Sequence, residues 1–460
     1  MNTSFDYVPE MQKSDLYLTF DAYVGKKKVN VPEVKVATGV ISTSEFYKKT
    51  LASDGACIAP DSFQRVKAQK QEAEIKFLIN QANLRKSEMK NNSVKEFVQM
   101  LKKINRDKEG LNIKNVEVAA YASPEGGVKF NDKLASKRQN TSEKYVKQTL
   151  KKTKVSTDID ARYTAQDWDG FQKLVAASNL QDKDVILRVL SMYQDPQERE
   201  QQISNMSEVY TDIKHSILPE LRRARLIVNY EIIGRSDAQI LEQFAADPSK
   251  LSVEEMVYGA NKLVKDDATR QKWNEAIAKQ YPSDYRALNN MAQQAISKGD
   301  MAAAQNYLKQ AANVNKNASE VNTNLALMAL KSGDVAKAET YLSKGTGSDT
   351  FKEVMGNLNI AKGNYTQAAS DLAGVNTNSA ALAQILAKDY TSAKTTLSKI
   401  KNADATTSYL QAVLAARTGD SSALSSSLKN AIQQDGTLAA RAAKDLEFAK
   451  YANVVKNLVK

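Results

Sequence analysis

The chain has one cysteine, Cys57, and one histidine, His215. No disulfide can form within it, Cys/His metal centres lack their ligands, and Ser-His or Cys-His nucleophilic pairs have almost no raw material. No metal or cofactor is therefore expected. Cys57 reads as a buried small residue, and His215, in DIKHSILPEL, as a residue near the C-terminal end of a helix. Long apolar runs are also missing, since none reaches the ~18 residues that span a bilayer. The opening MNTSFDYVPEMQKSD has no apolar core of a signal peptide. The expectation is either a cytoplasmic chain or a mature form whose leader has been replaced by methionine. Walker, zincin and Gly-x-Ser-x-Gly patterns are absent. The 53 acidic residues still leave a hydrolase built on Asp/Glu pairs open, but a non-enzymatic protein is the preferred reading.

Lys and Arg number 65 against 53 Asp and Glu, a net charge of +12. The lysines are dispersed, and clusters such as Lys147, Lys151, Lys152 and Lys154 lie on an amphipathic helical pattern, where lysine is an ordinary surface residue. No basic block carries interleaved aromatics, so nucleic acid is not an expected partner. Apolar residues at 42% and charged residues at 26% mark a soluble globular chain of two to four domains.

Three regions follow along the chain, and the fold class they predict is α+β multidomain. Residues 1–70 read as a small β-rich region: LYLTFDAYV partly alternates, and KVNVPEVKVATGVISTS offers two short strands broken by Pro32 and Gly39. Residues 71–236 alternate strands and helices, which predicts an α/β sandwich with at least partly parallel pairing. Its strands are EIKFLIN (74–80), VEVAAYA (116–122), DIDARYTA (158–165) and LRRARLIVNYEII (221–233). Between them, Val94, Phe97, Val98, Leu101 and Ile104 share one helical face, and further helices cover 131–150 and 166–177. Residues 250–460 carry no strand signal and read as an all-α solenoid.

That last region repeats itself. Gly299-Asp300, Gly333-Asp334, Gly363-Asn364, Lys388-Asp389 and Gly419-Asp420 punctuate it at spacings of 34, 30, 25 and 31. Five residues after the first member of the first four pairs stand Ala304, Ala338, Ala368 and Ala393; four later stand Leu308, Leu342, Leu372 and Leu397. Seven residues before each pair sit Ala292, Ala326, Gly356, Ala381 and Ala412. Small residues let two helices approach, leucine plugs the gap toward the next pair, and the turn needs a residue that tolerates positive φ. The pattern resembles the tetratricopeptide repeat. The resemblance implies five to six helical pairs, an early one at 251–284, a C-terminal cap at 436–460, and a concave surface offered to a protein partner.

Residues of about 72–235 resemble a second family, the C-terminal domain of outer-membrane protein A. The family runs strand, a TD-x-x-G turn, then N-x-x-L-S-x-x-R-A opening a helix. This chain reads VEVAAYASPEGGVKFNDKLASKRQ, with Gly126, Asn131, Leu134 and Arg138 in register. LRRARLIV resembles the family's closing strand, and an insertion with the Asp167-Trp168 helix and residues 190–218 precedes it. The blocks LINQANLR, YASPEGG, AQDW and ILPELRRAR also resemble a group of envelope proteins of Gram-negative anaerobic gut bacteria.

The family resemblance implies binding of the peptidoglycan stem: an aspartate of the turn faces its ammonium, and the helix arginine grips its carboxylate. Here Arg138 is present, but Ser123 stands at the aspartate position. Two readings follow. In one, the site persists with Arg138, Asn131 and Gly126, and Ser123, Glu125 and the amides at the helix start replace the lost carboxylate. In the other, the fold is kept and the wall-binding role is lost or changed. The bland alternatives are a surface Arg138, a capping Asn131, a Trp168 that is core rather than a sugar platform, and Arg222, Arg223 and Arg225 bracing the last strand. The resemblances together imply a periplasmic or outer-membrane-associated scaffold, with membrane attachment only through a lipid anchor upstream of residue 1. The alternative is a surface glycan-binding or adhesin/fimbria-assembly module.

Overall fold

The computed structural model describes residues 13–41, 43–51, 55–180 and 182–458. It divides into two units, residues 64–238 and residues 1–63 with 239–460.

The N-terminal strands are β1 (Lys13–Leu18), β2 (Ala22–Val24), β3 (Lys27–Val29) and β4 (Val34–Ile41). They pair antiparallel as β1 with β4 and β2 with β3, and Gly25 turns between the latter two at φ 62°. Among its described side chains, Leu16, Tyr17, Leu18, Tyr23 and Val24 are all exposed. The expected β-rich region at 1–70 is thus only partly β. Residues 1–12 lie outside the described residues. Among the described residues of 43–63 there is no strand; a 3-10 turn at Thr43–Phe46 leads into a single helical turn, α1 (Tyr47–Thr50), and residues 56–63 are irregular.

The 64–238 unit is an α/β layer. Its strands β5 (Val66–Lys76), β6 (Leu111–Tyr121), β7 (Asp158–Thr164) and β8 (Arg223–Ile233) form one sheet in the order β5-β8-β6-β7. β8 runs antiparallel to both neighbours, and β6–β7 is the parallel pair. Helices α2 (Asn92–Arg106) and α3 (Val128–Thr153) pack on one face of the sheet, because alternate strand residues are apolar there. Ile75, Val116, Val118, Ala120, Leu226 and Val228 meet Val94, Phe97, Leu101 and Val146. The first strand starts at Val66 rather than at 74 and ends before Phe77. As an edge strand it tolerates the polar alternation of Lys67, Gln69 and Gln71, which hides it from a search for apolar runs. The insertion folds as α4 (Trp168–Ala177), α5 (Lys183–Met192), α6 (Pro196–Ser204), α7 (Ser207–Ser216) and α8 (Leu218–Leu221). It has its own core around Phe171, Ile186, Ile203 and Ile213.

The helical array opens with α9 (Asp237–Ala246), α10 (Val253–Tyr258), a π-turn at Gly259–Leu263, and α11 (Asp267–Gln280). Five antiparallel pairs follow: α12 (Arg286–Ser297) with α13 (Met301–Val314), α14 (Ser319–Ser332) with α15 (Val335–Leu342), α16 (Phe351–Ala361) with α17 (Tyr365–Asp371), α18 (Asn378–Leu386) with α19 (Tyr390–Lys399), and α20 (Ala405–Thr418) with α21 (Ser421–Gln434). A closing group holds α22 (Thr437–Ala442), a 3-10 turn and α23 (Ala452–Leu458).

The repeat register is a packing register. Ala292, Ala326, Ala381, Ala412, Ala304, Ala338, Ala368 and Ala393 are all fully buried. Gly299, Gly333, Gly363 and Gly419 take φ of 78° to 84°, and Lys388 takes 64°. The next residue caps the second helix: Asp300, Asp334, Asp389 and Asp420 each accept from the backbone N–H three residues on. Consecutive first helices, from α12 to α20, pack directly on one another and line one inner face.

Gly356 meets Leu372 so closely that an added Cβ would lie 2.4 Å from the leucine Cγ. Gly356→Ala is therefore expected to lower stability by about 1–3 kcal/mol. Gly436→Ala, where a Cβ meets nothing within 4 Å, serves as the near-neutral control in denaturant unfolding.

Candidate functional site

In the 64–238 unit, β6 ends in a bend, Ser123-Pro124-Glu125-Gly126-Gly127, that feeds α3. Asn131, 2% exposed, stitches this bend rather than capping the helix. Its Nδ2 donates to the carbonyls of Ser123 (3.2 Å), Glu125 (2.9 Å) and Gly126 (3.1 Å). The Ser123 hydroxyl donates to Glu125 Oε1 at 3.0 Å. The same oxygen accepts from Arg222 Nη2 at 2.7 Å, so the one anion of the bend is paired within the unit. The Gly126 amide donates to Glu200 Oε1 at 2.6 Å, a carboxylate supplied by the insertion. Gln166 closes the far side by donating to the Gly126 carbonyl at 3.0 Å.

Arg138 is not a surface residue; it is 1% exposed. Its Nε donates to the Gln81 carbonyl (2.9 Å), Nη1 to that of Tyr121 (2.8 Å) and Nη2 to that of Leu78 (3.2 Å). The guanidinium also lies 5.1 Å from the Phe77 ring centre. Burial, and then the charge of Arg222, pull its pKa down to about 10, which still leaves it cationic at neutral pH. Three of its five donors thus tie the segment after β5 to the end of β6. Beside the bend, a cavity between Pro124, Glu125 and the insertion residues Trp168, Phe171, Glu200 and Ile203 holds about 10 Å³, room for one water at most.

The neighbouring residues are structural too. Trp168 is 9% exposed, packs edge-on to Phe171 at 5.6 Å and offers no free face to a sugar. Asp167 caps α4 through the Gly170 amide and pairs with Arg223 at 2.9 Å, while burial pushes its carboxyl above the ordinary range. Arg225 pairs with Glu72 at 2.6 Å, so the three arginines brace β8 as expected.

The second candidate site lies on the inner face of the array, and the chain itself occupies it. The described residues of 43–63 meet the array in an order opposite to that of the repeats. Thr43 bonds to Glu447 near the C-terminal cap, and the Ser62 amide donates to Glu254 in α10 at 2.6 Å. Phe46, Tyr47 and Leu51 are at most 2% exposed; Phe46 packs 4.9 Å from Tyr409 and 4.5 Å from the Arg441 guanidinium. Each buried side chain of this size contributes roughly 1.5–3 kcal/mol.

Further along, the array reads backbone rather than side chains. Asn324 Oδ1 accepts from the Cys57 amide at 2.6 Å, and its Nδ2 donates to the Cys57 carbonyl at 2.8 Å. Asn290 repeats this arrangement on Ala59, at 2.7 and 3.3 Å. Asn289 adds a donor to the Cys57 carbonyl, and Asn261 one to that of Ala59, both at 3.0 Å. Ser379 Oγ donates to the Thr50 carbonyl at 3.1 Å.

Comparisons with family models, with curated proteins and with solved structures return no match to this chain. The geometry therefore stands alone. Asn290, Asn324 and Ser379 each lie nine residues before the positive-φ turn residue, at Gly299, Gly333 and Lys388. A recurrent polar residue two places before the small packing residue was the readable signal for these readers.

Arg138→Lys is expected to destabilise the 64–238 unit by about 2–5 kcal/mol, because one ammonium cannot serve three separated carbonyls and those left bare each cost about 1–3 kcal/mol. Fluorescence of Trp168 in a Trp273→Phe background, followed through denaturant unfolding, checks this.

Proposed function

We propose that this protein is a non-enzymatic scaffold of the cell envelope, in which a tetratricopeptide-like array binds an extended peptide and an OmpA-like unit is a rigid platform. The observation that carries the reading is the inner face of the array, where buried asparagines pair with the backbone of Cys57 and Ala59. Side chains that satisfy both the N–H and the C=O of alternate residues constitute a peptide-reading surface. They do no chemistry on what they hold.

The envelope placement rests on the resemblance of residues 72–235 to the OmpA-like family. Of the two readings of its wall site, the geometry favours the one in which the fold is kept and the role is changed. Glu125 is neutralised by Arg222, Glu200 sits on the Gly126 amide, and Arg138 is spent on backbone carbonyls. A peptidoglycan stem would have to displace these internal partners before it could pair with the bend. The purified chain is expected to stay in solution when sacculi are sedimented. Saturable pelleting, competed by free diaminopimelate, would contradict the filled-site reading. Cross-linking from the outer helices of the array in cells tests the scaffold half; the absence of any protein adduct at several positions would remove it.

One observation favours the alternative of a surface-assembly module: the ribbon β1–β4, whose exposed Leu16, Leu18, Phe20, Tyr23 and Val24 lack the packing that a two-stranded sheet needs to stand alone. Trp168, being buried, lends no support to the glycan-binding form of that alternative.

A further inference from the structure

The array's inner face would be costly to leave empty. Asn289, Asn290, Asn324 and Ser379 are at most 3% exposed, and their partners include the backbone of Thr50, Cys57 and Ala59. With those residues withdrawn, several amide and hydroxyl groups would lose partners in a half-dry groove, each at about 1–3 kcal/mol. The face therefore calls for an occupant, and its chemistry says which kind.

Three features define the fit. At one end, Phe46 and Tyr47 sit on a helical turn and fill the space between Tyr409, Arg441 and Leu330. At the other end the chain is extended, with the amide and carbonyl of alternate residues turned to the asparagines. The side chains there are small. Ala56, Cys57 and Ala59 are at most 6% exposed, and a Cβ on Gly55 would already lie 3.2 Å from Leu327. Next to the first end, Leu51 is fully buried and the Thr50 carbonyl accepts from Ser379; at Cys57 and Ala59 the hydrogen bonds from the array are to backbone, which tolerates a change of sequence. The ribbon that precedes the segment presents exposed Leu16, Tyr17, Leu18, Tyr23 and Val24, whereas Phe46, Tyr47, Leu51 and Ala56 of the segment itself are part of the array's core.

We propose that residues 43–60 are a resident ligand in a peptide site, and that a segment of another protein with the same chemistry competes for that site. That chemistry is an aromatic pair on a helical turn followed, about ten residues on, by an extended stretch of Gly, Ala, Ser or Cys. The inference rests on the partner-binding reading of the array and adds to it that the site is closed by the chain itself until a competitor arrives.

Cys57 is a built-in reporter, since it is the chain's sole thiol and is 1% exposed while the segment is seated. The probe is a synthetic peptide of residues 43–63 carrying Cys57→Ser, so that it takes no label. Added to the full wild-type chain, it is expected to accelerate alkylation of Cys57 at least tenfold, with saturable dependence on peptide concentration; a scrambled peptide does nothing. Carrying Asn290→Ala and Asn324→Ala together, the chain labels faster without peptide and no longer responds to it. The proposal is overturned if the wild-type rate is unchanged at every peptide concentration and a fluorescent form of the peptide also fails to bind a chain loosened by Phe46→Ser and Leu51→Ser. If that happens while protein adducts to the array persist in cells, only the resident-ligand inference falls. Loss of both would remove the partner-binding reading as well.

Discussion

The arrangement depends on one interaction, the double hydrogen bond between a buried asparagine and the amide and carbonyl of a single residue of an extended chain. Asn324 makes it with Cys57 and Asn290 with Ala59. Buried backbone groups must find partners, and residues 56–60 have no strand or helix in which to find them. The array's side chains supply what a sheet neighbour would. The same bonds satisfy the asparagines, which would otherwise be costly at such depth. Each side of the contact thus removes the other's liability, and the register of the segment is fixed two residues at a time.

The α/β unit follows a similar rule with other chemistry. Its bend at 123–127 is an arrangement of carbonyls, amides and one carboxylate that in isolation would attract a charged ligand. The chain's own Asn131, Arg222, Glu200 and Gln166 answer those groups instead. Arg138, buried beneath, holds three carbonyls together. Polar groups inside a protein stabilise it when fully satisfied, and here the partners come from α3, from residues that flank the insertion and, through Glu200, from the insertion itself.

Sequence legibility differed between these parts for physical reasons. The repeat register could be read because close helix packing demands the same side-chain size at the same spacing, and Ala292, Ala326, Gly356, Ala381 and Ala412 meet that demand. The turn chemistry was equally open, since glycine before aspartate encodes a left-handed residue followed by a helix cap. At the bend, Ser123, Glu125, Gly126, Asn131 and Arg138 were recognisable, but their roles were not. Whether an arginine faces solvent or three carbonyls depends on what the fold brings to it, and those carbonyls lie 17 to 60 residues upstream. Residues 43–63 gave least warning. A segment whose hydrogen bonds end on side chains more than 200 residues away has no period of its own.

The most direct measurement is amide hydrogen exchange at Cys57 and Ala59 in the full chain. These amides are expected to exchange as slowly as those in the middle of α14, and to lose that protection in an Asn290→Ala, Asn324→Ala chain whose helices keep theirs. Rapid exchange of both amides in the wild-type chain, at rates typical of exposed backbone, would contradict the account.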